Sequence, residues 1–460
     1  MTAPAPTARS VQVALLLAVA GLAAILYSSF CTVPGVQWNA PRLAPAFAIT
    51  EGLNPYATRE SAAQLGWTYG PVFPLWSWPA TLAGNLTASF LVWAALNLCA
   101  VALPAWLILR ELAPSRTAWV WFGALLVGNE ITWTQLFTIH VDGLCVGLGL
   151  LACWSIRRAA AQPAVRWLHL AALSIALAVW TKQIALSLVP ALFGWAWVAG
   201  HRALAGRLLL WSTVYAGLFA LLFFAWFGGE ELLFNLWFYP SRSPWKDGAG
   251  IASELLRLPL TGWPWLAVLA ALLVWPAKAS DAPVPVSGDL GRLLAWVAVF
   301  HLPLGFAASV KGAGGLNSLH SLHYALPLLA AAAARWHQRA GARPWLAAVA
   351  AVGLLAAVGQ GLWITVREHS AWTLYRGQEE ALRFARENPG RAYLPWNPLV
   401  TIITERRIYP FDDALLCLHR ANLAPSHAVV RAALPPRPII LYPDPVQSKF
   451  ALGYFPPSPP

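Results

Sequence analysis

Long apolar runs broken by short polar connections set the rhythm of the chain from residue 11 to residue 366. Most are close to the roughly 20 residues that a helix needs to cross a bilayer. They predict spans near 11–30, 86–109, 117–136, 142–156, 167–181, 184–200, 203–227, 262–277, 292–310, 318–334 and 345–366. The first run, Val11 to Phe30, is too long for the apolar core of a signal peptide and lacks an Ala-x-Ala cleavage site. It is expected to remain as an anchor.

Two connections depart from the rhythm, at 31–84 and 228–261. Inside the first, Pro71 to Leu82 is apolar but too short to span, and Pro74 and Pro79 interrupt it. It predicts a helix lying in the membrane interface. The second is rich in Trp, Pro and charge. After Arg367 the composition changes. Gly377 to Asn388 has helical periodicity and stops at Pro389-Gly390, and β-prone runs follow at Leu399–Thr404 and Ile439–Tyr442. The expected fold class is an all-α polytopic membrane protein of about eleven transmembrane helices. It comprises a membrane domain, 1–366, and a small α/β C-terminal domain, 367–460, outside the membrane.

Composition excludes a soluble enzyme. The chain of 460 residues is 58% hydrophobic and only 11% charged, so one water-facing shell cannot hide its apolar surface. The 27 Trp suit headgroup-level belts. A net charge of +12 could suggest nucleic acid, but the basic residues are scattered in short clusters between apolar runs. They report topology instead. Arg9, Arg110, Arg116, Arg157, Arg158 and Arg207 fall on one set of short connections, whereas the longer loops opposite are poor in Arg and Lys. This asymmetry predicts a bacterial inner-membrane protein with a cytoplasmic N-terminus and a periplasmic tail. The five Cys show no metal-type spacing, and HExxH, Walker A and dinucleotide glycine motifs are absent.

The candidate chemistry gathers on the outer connections. In the first loop, Trp38, Asn39, Arg42, Asn54, Tyr56 and Tyr69 combine flat rings with polar groups that would suit a sugar; an interfacial aromatic belt with turn residues is the plainer reading. His140 and Asp142 stand where the fourth span begins, and Asp142 is either a functional acid or an N-cap. Glu130 is either a buried polar contact or a site group. Lys182-Gln183 runs against the charge asymmetry and, with Arg42 and with Lys246 beside Trp245, would form a basic lip for a lipid phosphate. A snorkelling lysine is the alternative. His320 and His323, at i, i+3, read as hydrogen-bonding histidines in preference to metal ligands.

These features occur in the order WNAPRLAPAFAITEGLNPY, YGPVFPLWSWPATL, FTIHVDGLCVGLGL, AVWTKQIALSLVP, LHSLHYALPLL and YLPWNPLVTIITERRIYPFDD. The order resembles the bacterial GT-C glycosyltransferases, near the dolichyl-phosphate-mannose and RgtA/B/C/D-like transferases. The resemblance implies a polyprenyl-phosphate sugar as donor and a glycan, lipid or protein as periplasmic acceptor. In such enzymes an acid in the first outer loop takes the acceptor's proton, and a second at the next outer turn holds acceptor or metal. Asp142 matches the second, with a divalent ion such as Mg or Mn as the implied cofactor. Asn39 stands where relatives often carry the first, and an amide cannot act as a base. The catalytic role then falls to Asp142 or Glu51, or the protein binds without turnover as an assembly subunit. A transporter would show repeated halves, and none is visible.

Overall fold

The computed structural model describes residues 6–31, 38–56, 58, 60–112, 115–257, 287–312, 314–339, 344–370 and 373–440. Apolar stretches become helices because a helix satisfies its own backbone hydrogen bonds in lipid. They are α1 (Pro6–Cys31), α2 (Asn39–Thr50), α3 (Val72–Trp76), α4 (Trp78–Thr81), α5 (Leu86–Leu112), α6 (Arg116–Val127), α7 (Glu130–Phe137), α8 (Val141–Ala161), α9 (Val165–Thr181), α10 (Leu188–Val198) and α11 (Arg202–Phe227). The second long loop holds α12 (Gly229–Leu233), α13 (Tyr239–Arg242) and α14 (248–257). Then come α15 (Ser287–Ser309), α16 (His320–Arg339) and α17 (Pro344–Ser370), followed in the tail by α18 (Thr373–Glu387), α19 (Pro398–Glu405), α20 (Asp412–Arg420) and α21 (His427–Ala433).

Among the described residues, the stretches Gln12–Ser29, Leu86–Leu112, Val141–Ala161, Arg202–Phe227 and Asp289–Ser309 are each long and apolar enough to cross a membrane. Shorter apolar helices at Arg116–Val127, Val165–Thr181 and Gln183–Val198 pack among them. The chain is a multi-pass membrane protein. α8 is the most enclosed of the five stretches, whereas α11 exposes Leu210, Leu218, Leu221, Leu222 and Trp226. An apolar helix with an apolar exposed face is solvated by lipid. The span expected at 262–277 and the chain after 440 lie outside the described residues.

Two expectations need correction. The run 117–136 is not one helix. It breaks at Gly128-Asn129, where the Asn129 side chain accepts the Ile131 N–H at 2.9 Å and caps α7. Gly128 also lies against Ala357 of α17, so close that a Cβ would come within 2.7 Å of its backbone. The second correction is Leu399–Thr404, which is helical. Pro398 occupies the first turn of α19 and pre-sets its φ, and Arg406 ends the helix in the left-handed conformation. That start signal outweighs the β-branched residues Val400, Thr401 and Ile402. The strand expected at Ile439 does form, with Ala392–Tyr393 pairing in parallel to Ile439–Ile440.

Two apolar cores organise the molecule. One lies within the bundle. The other joins α2, α5, the start of α8 and the end of α11 to Leu382, Leu394, Leu399, Val400 and Ile402 of the tail. On α2, Leu43, Ala44, Phe47 and Ala48 are buried at helical spacing. Each fully buried Leu or Phe contributes roughly 1.5–3 kcal/mol, so the tail is a packed wall of the loop end, held against the first long loop.

Candidate functional site

Asp142 is the hub of the loop end, and five separate elements deliver donors to it. Lys182, the residue capping the C-terminus of α9, places Nζ 2.6 Å from Oδ1, and His320 at the start of α16 places Nδ1 3.1 Å from the same oxygen. Oδ2 receives His140 Nδ1 at 2.8 Å, Gln135 Nε2 of α7 at 3.1 Å and Asn317 Nδ2 at 3.1 Å. At 2.8 Å the His140 Nδ1 proton points at Oδ2, so that nitrogen has no lone pair for the Asp142 N–H 3.4 Å away and does not cap the helix. Burial, then the charge of Arg42, pushes His140 down to about 4, so its ring is neutral at pH 7. Asp142 itself is fully buried. A carboxylate offers about four lone-pair directions, and five donors leave none for an acceptor hydroxyl.

The packing around this hub depends on Gly143. A Cβ there would meet Asn97 Oδ1 at 2.0 Å, and Asn97 is the residue whose amide holds the Gln135 and Leu136 carbonyls at 2.7 and 3.0 Å. Gly70 has a similar function, because a Cβ would fall 1.6 Å from the Trp180 carbonyl. The first loop therefore seats directly on the end of α9, beside Lys182.

Next to the hub is a cavity of about 190 Å³ walled by connections and by the tail. Thr68 and Tyr69 come from the first loop, Lys182 and Gln183 from the turn after α9, and Tyr239 and Ser243 from the second loop. Lys311, Asn317 and Ser318 come from the α15–α16 connection, and Cys417 and Arg420 from α20. The described lining holds three cations and no carboxylate. Lys182 is neutralised by Asp142, which leaves Lys311 and Arg420 as the excess charge. Lys311 Nζ lies 2.9 Å from the Ser243 carbonyl and 4.2 Å from the centre of the Trp245 ring. On the same connections, Leu186, Leu233 and Trp237 are exposed apolar side chains. A cationic pocket on connections that expose apolar side chains suits a phosphate on a hydrocarbon chain.

Comparison of the whole fold with solved structures gives two informative matches. The crystal structure of ArnT from Cupriavidus metallidurans bound to undecaprenyl phosphate superposes with a TM-score of 0.58 over 88% of this chain and 88% of that one, at 12% identity. Its apo state superposes with a TM-score of 0.54 over 87% and 90%, at 13% identity. ArnT is a GT-C glycosyltransferase. The chain has the GT-C fold. No family model matches it, and no curated protein matches its sequence.

Within this GT-C frame, the residues singled out from the sequence separate into three groups. Asp142, His140, Lys182 and His320 converge as one cluster, and Tyr69 and Gln183 line the adjoining cavity. Others hold the walls together. Asn39 accepts the Ile139 N–H at 2.8 Å while Arg42 donates to the Ile139 carbonyl at 2.9 Å, so both clamp the strand-like approach to Asp142. Asn54 donates to the Phe227 carbonyl at 2.7 Å, and the buried Tyr56 hydroxyl donates to the Tyr69 carbonyl at 2.9 Å. Lys246 is latched by Glu254 at 2.6 Å, and His323 by the Leu316 carbonyl at 3.2 Å. Trp38 packs edge-on against Trp396 of the tail.

The third group lies away from the cluster. Glu51 follows α2 and pairs with Arg406 of the tail at 2.8 Å, so the structure gives it a bracing contact and no place beside Asp142. Glu130 pairs with Arg367 at 3.0 Å, half-exposed. Trp245 is largely exposed and faces Lys311. The residues around Asp142 do not fit the divalent ion expected there: an ammonium already occupies the cation position on Oδ1, and neutral donors fill Oδ2. Among the described residues no group of three His, Cys, Asp or Glu side chains is arranged to hold a metal.

Sequence reasoning missed Lys311, Asn317, Tyr239, Asp413 and Arg420. Lys311 carried a signal, being another cation on the cation-poor side. The tail residues carried none, because only folding brings α20 to the bundle.

Proposed function

We propose that the chain is a membrane glycosyltransferase that moves a sugar from a polyprenyl-phosphate donor to an acceptor at the periplasmic face. The observation that carries this reading is the cavity, with two cations in its lining that form no ion pair among the described residues, on connections that also expose apolar side chains. The same fold holds undecaprenyl phosphate in ArnT, which supports a polyprenyl phosphate as the lipid partner. Lys311 and Arg420 would take the phosphate, with Gln183 and Asn317 as neutral donors beside it. Transfer from a glycosyl phosphate passes through an oxocarbenium-like state, as in glycosidases. Cations on the departing phosphate lower that barrier because they act where negative charge accumulates.

Asp142 enters this reading as a positioning residue. It fixes Lys182, His140 and Asn317, which belong to the cavity wall or its immediate support. A second reading, a binding or assembly subunit without turnover, is favoured by Asn39 being an amide and by Asp142 being saturated with donors.

Transfer of radiolabelled sugar from a panel of undecaprenyl-phosphate hexoses and pentoses separates the two. Wild type should transfer, and Lys311→Ala with Arg420→Ala should weaken undecaprenyl phosphate binding by at least tenfold, about 1.4 kcal/mol. Lipid binding without transfer from any donor would move the chain to the binding-subunit reading. Binding unchanged in the double variant would remove the cavity from the account.

A further inference from the structure

The transferase reading lacks a proton acceptor. Asn39 is an amide, Glu51 is bound to Arg406, and Asp142 has no lone pair free. Another carboxylate stands behind the cavity wall, in contact with a residue that lines it. On α20, Asp413, Cys417 and Arg420 recur at i, i+4 and i+7, so they share one helical face. Cys417 and Arg420 line the cavity, and the Cys417 Sγ lies 3.9 Å from Asp413 Oδ2. That thiol is Asp413's one hydrogen-bonding contact among the described residues, and none of the ion pairs among them includes it. It contrasts with Asp142 in this respect: one acid is saturated, the other is nearly unengaged.

We infer that Asp413, carried by the tail to the back of the cavity wall, accepts the proton of the acceptor hydroxyl; this rests on the transferase reading above. The acceptor O–H transfers its proton to an Asp413 oxygen as the acceptor oxygen bonds to the anomeric carbon. The bond from that carbon to the phosphate oxygen breaks, and the electron pair leaves with polyprenyl phosphate on Lys311 and Arg420. With water as acceptor, the same step releases free sugar.

The surroundings suit a base working near neutral pH. Burial, then the charge of Asp412, pushes Asp413 up to about 6, against the opposing charges of Arg420 and Arg42. Tyr239 of α13 and Cys417 face the same point and are pushed above their ordinary values, so both stay protonated there at pH 7. Asp413 is then ionised at pH 7, yet more basic than an exposed carboxylate. General bases are most effective when their pKa lies near the working pH.

The test uses the full chain in lipid nanodiscs, with ¹⁴C-sugar undecaprenyl-phosphate donors and two readouts, free sugar and sugar on a membrane lipid extract. Asp413→Asn should lower turnover on the order of 100-fold while undecaprenyl phosphate binding stays within about threefold. Wild-type turnover should fall as pH drops through about 6, and Asp413→Glu should retain activity with a shifted midpoint. The Glu variant decides the matter if the Asn variant fails to fold. Near-wild-type turnover and an unshifted pH profile in both variants would overturn the assignment and leave the transferase reading in place. A wild type that binds undecaprenyl phosphate yet releases sugar from no donor would overturn both.

Discussion

The pair formed by Lys182 and Asp142 makes the sharpest stability test, because both side chains are almost wholly withdrawn from solvent and their charges meet at 2.6 Å. Lys182→Met keeps most of the stem and removes the charge. Breaking a buried pair on one side typically costs about 3–5 kcal/mol, since the other charge is left uncompensated. The four neutral donors on Asp142 from His140, His320, Gln135 and Asn317 are already made in wild type. They soften the loss without growing, which puts Lys182→Met near the lower end, about 3 kcal/mol. Asp142→Asn strands the ammonium instead. The Tyr69 ring, at 5.6 Å from its centre, compensates the Lys182 ammonium weakly, so the expected loss is about 4–5 kcal/mol. The double variant removes both charges, and its destabilisation should fall short of the sum by about 2–3 kcal/mol. Unfolding in mixed micelles by titration with SDS, followed by tryptophan emission, measures all four corners of the cycle. A coupling energy below about 0.5 kcal/mol would mean that the two sites behave independently, and the argument for a charge-paired hub would be wrong.

Other consequences are independent of that cycle. Asp413 titrates near 6 in the fold against about 3.9 unfolded. A raised carboxylate pKa means that wild type is relatively most stable below about pH 4 and loses that contribution as pH rises through about 6. Asp413→Asn should therefore be more stable than wild type at pH 7.5, by about 1–2 kcal/mol after allowing for partial solvation, and indistinguishable at pH 4; a less stable variant at pH 7.5 contradicts the sign. Glu51→Gln should change stability by less than about 1 kcal/mol, because Arg406 is mostly exposed, and should leave sugar transfer unchanged; abolished transfer would restore Glu51 as the base. Gly143→Ala forces Asn97 to move and should cost about 1–3 kcal/mol by overpacking, measured by the same SDS titration; a neutral effect would mean the α5–α8 contact is looser than the geometry requires.

Hydropathy alone located the membrane helices, because a bilayer demands apolar length and nothing else in the chain supplies it. Helices stand at the expected spans that are described, with Pro and Gly signals marking most interruptions. The break at Gly128-Asn129 was not legible, since both residues sit inside an apolar run and their turn depends on contact with Ala357. Leu399–Thr404 was misread because β-branched residues are ambiguous in short runs, and the Asn397-Pro398 start was the better evidence.

The candidate site divides along the same line. Asp142, His140, Lys182 and His320 were identifiable because each polar residue stands at the edge of an apolar run, where its cost requires a reason. Their partnership was not, for Lys182 and His320 reach Asp142 from 40 and 178 residues away. Tertiary structure alone turned Asp142 from a presumed base into a saturated anchor, by supplying five donors to one carboxylate. It also brought Arg420 into the cavity wall and set Asp413 behind it, against Cys417. Sequence specifies which residues are expensive to bury, whereas the surroundings that compensate them are built from distant segments and exist only once the chain has folded.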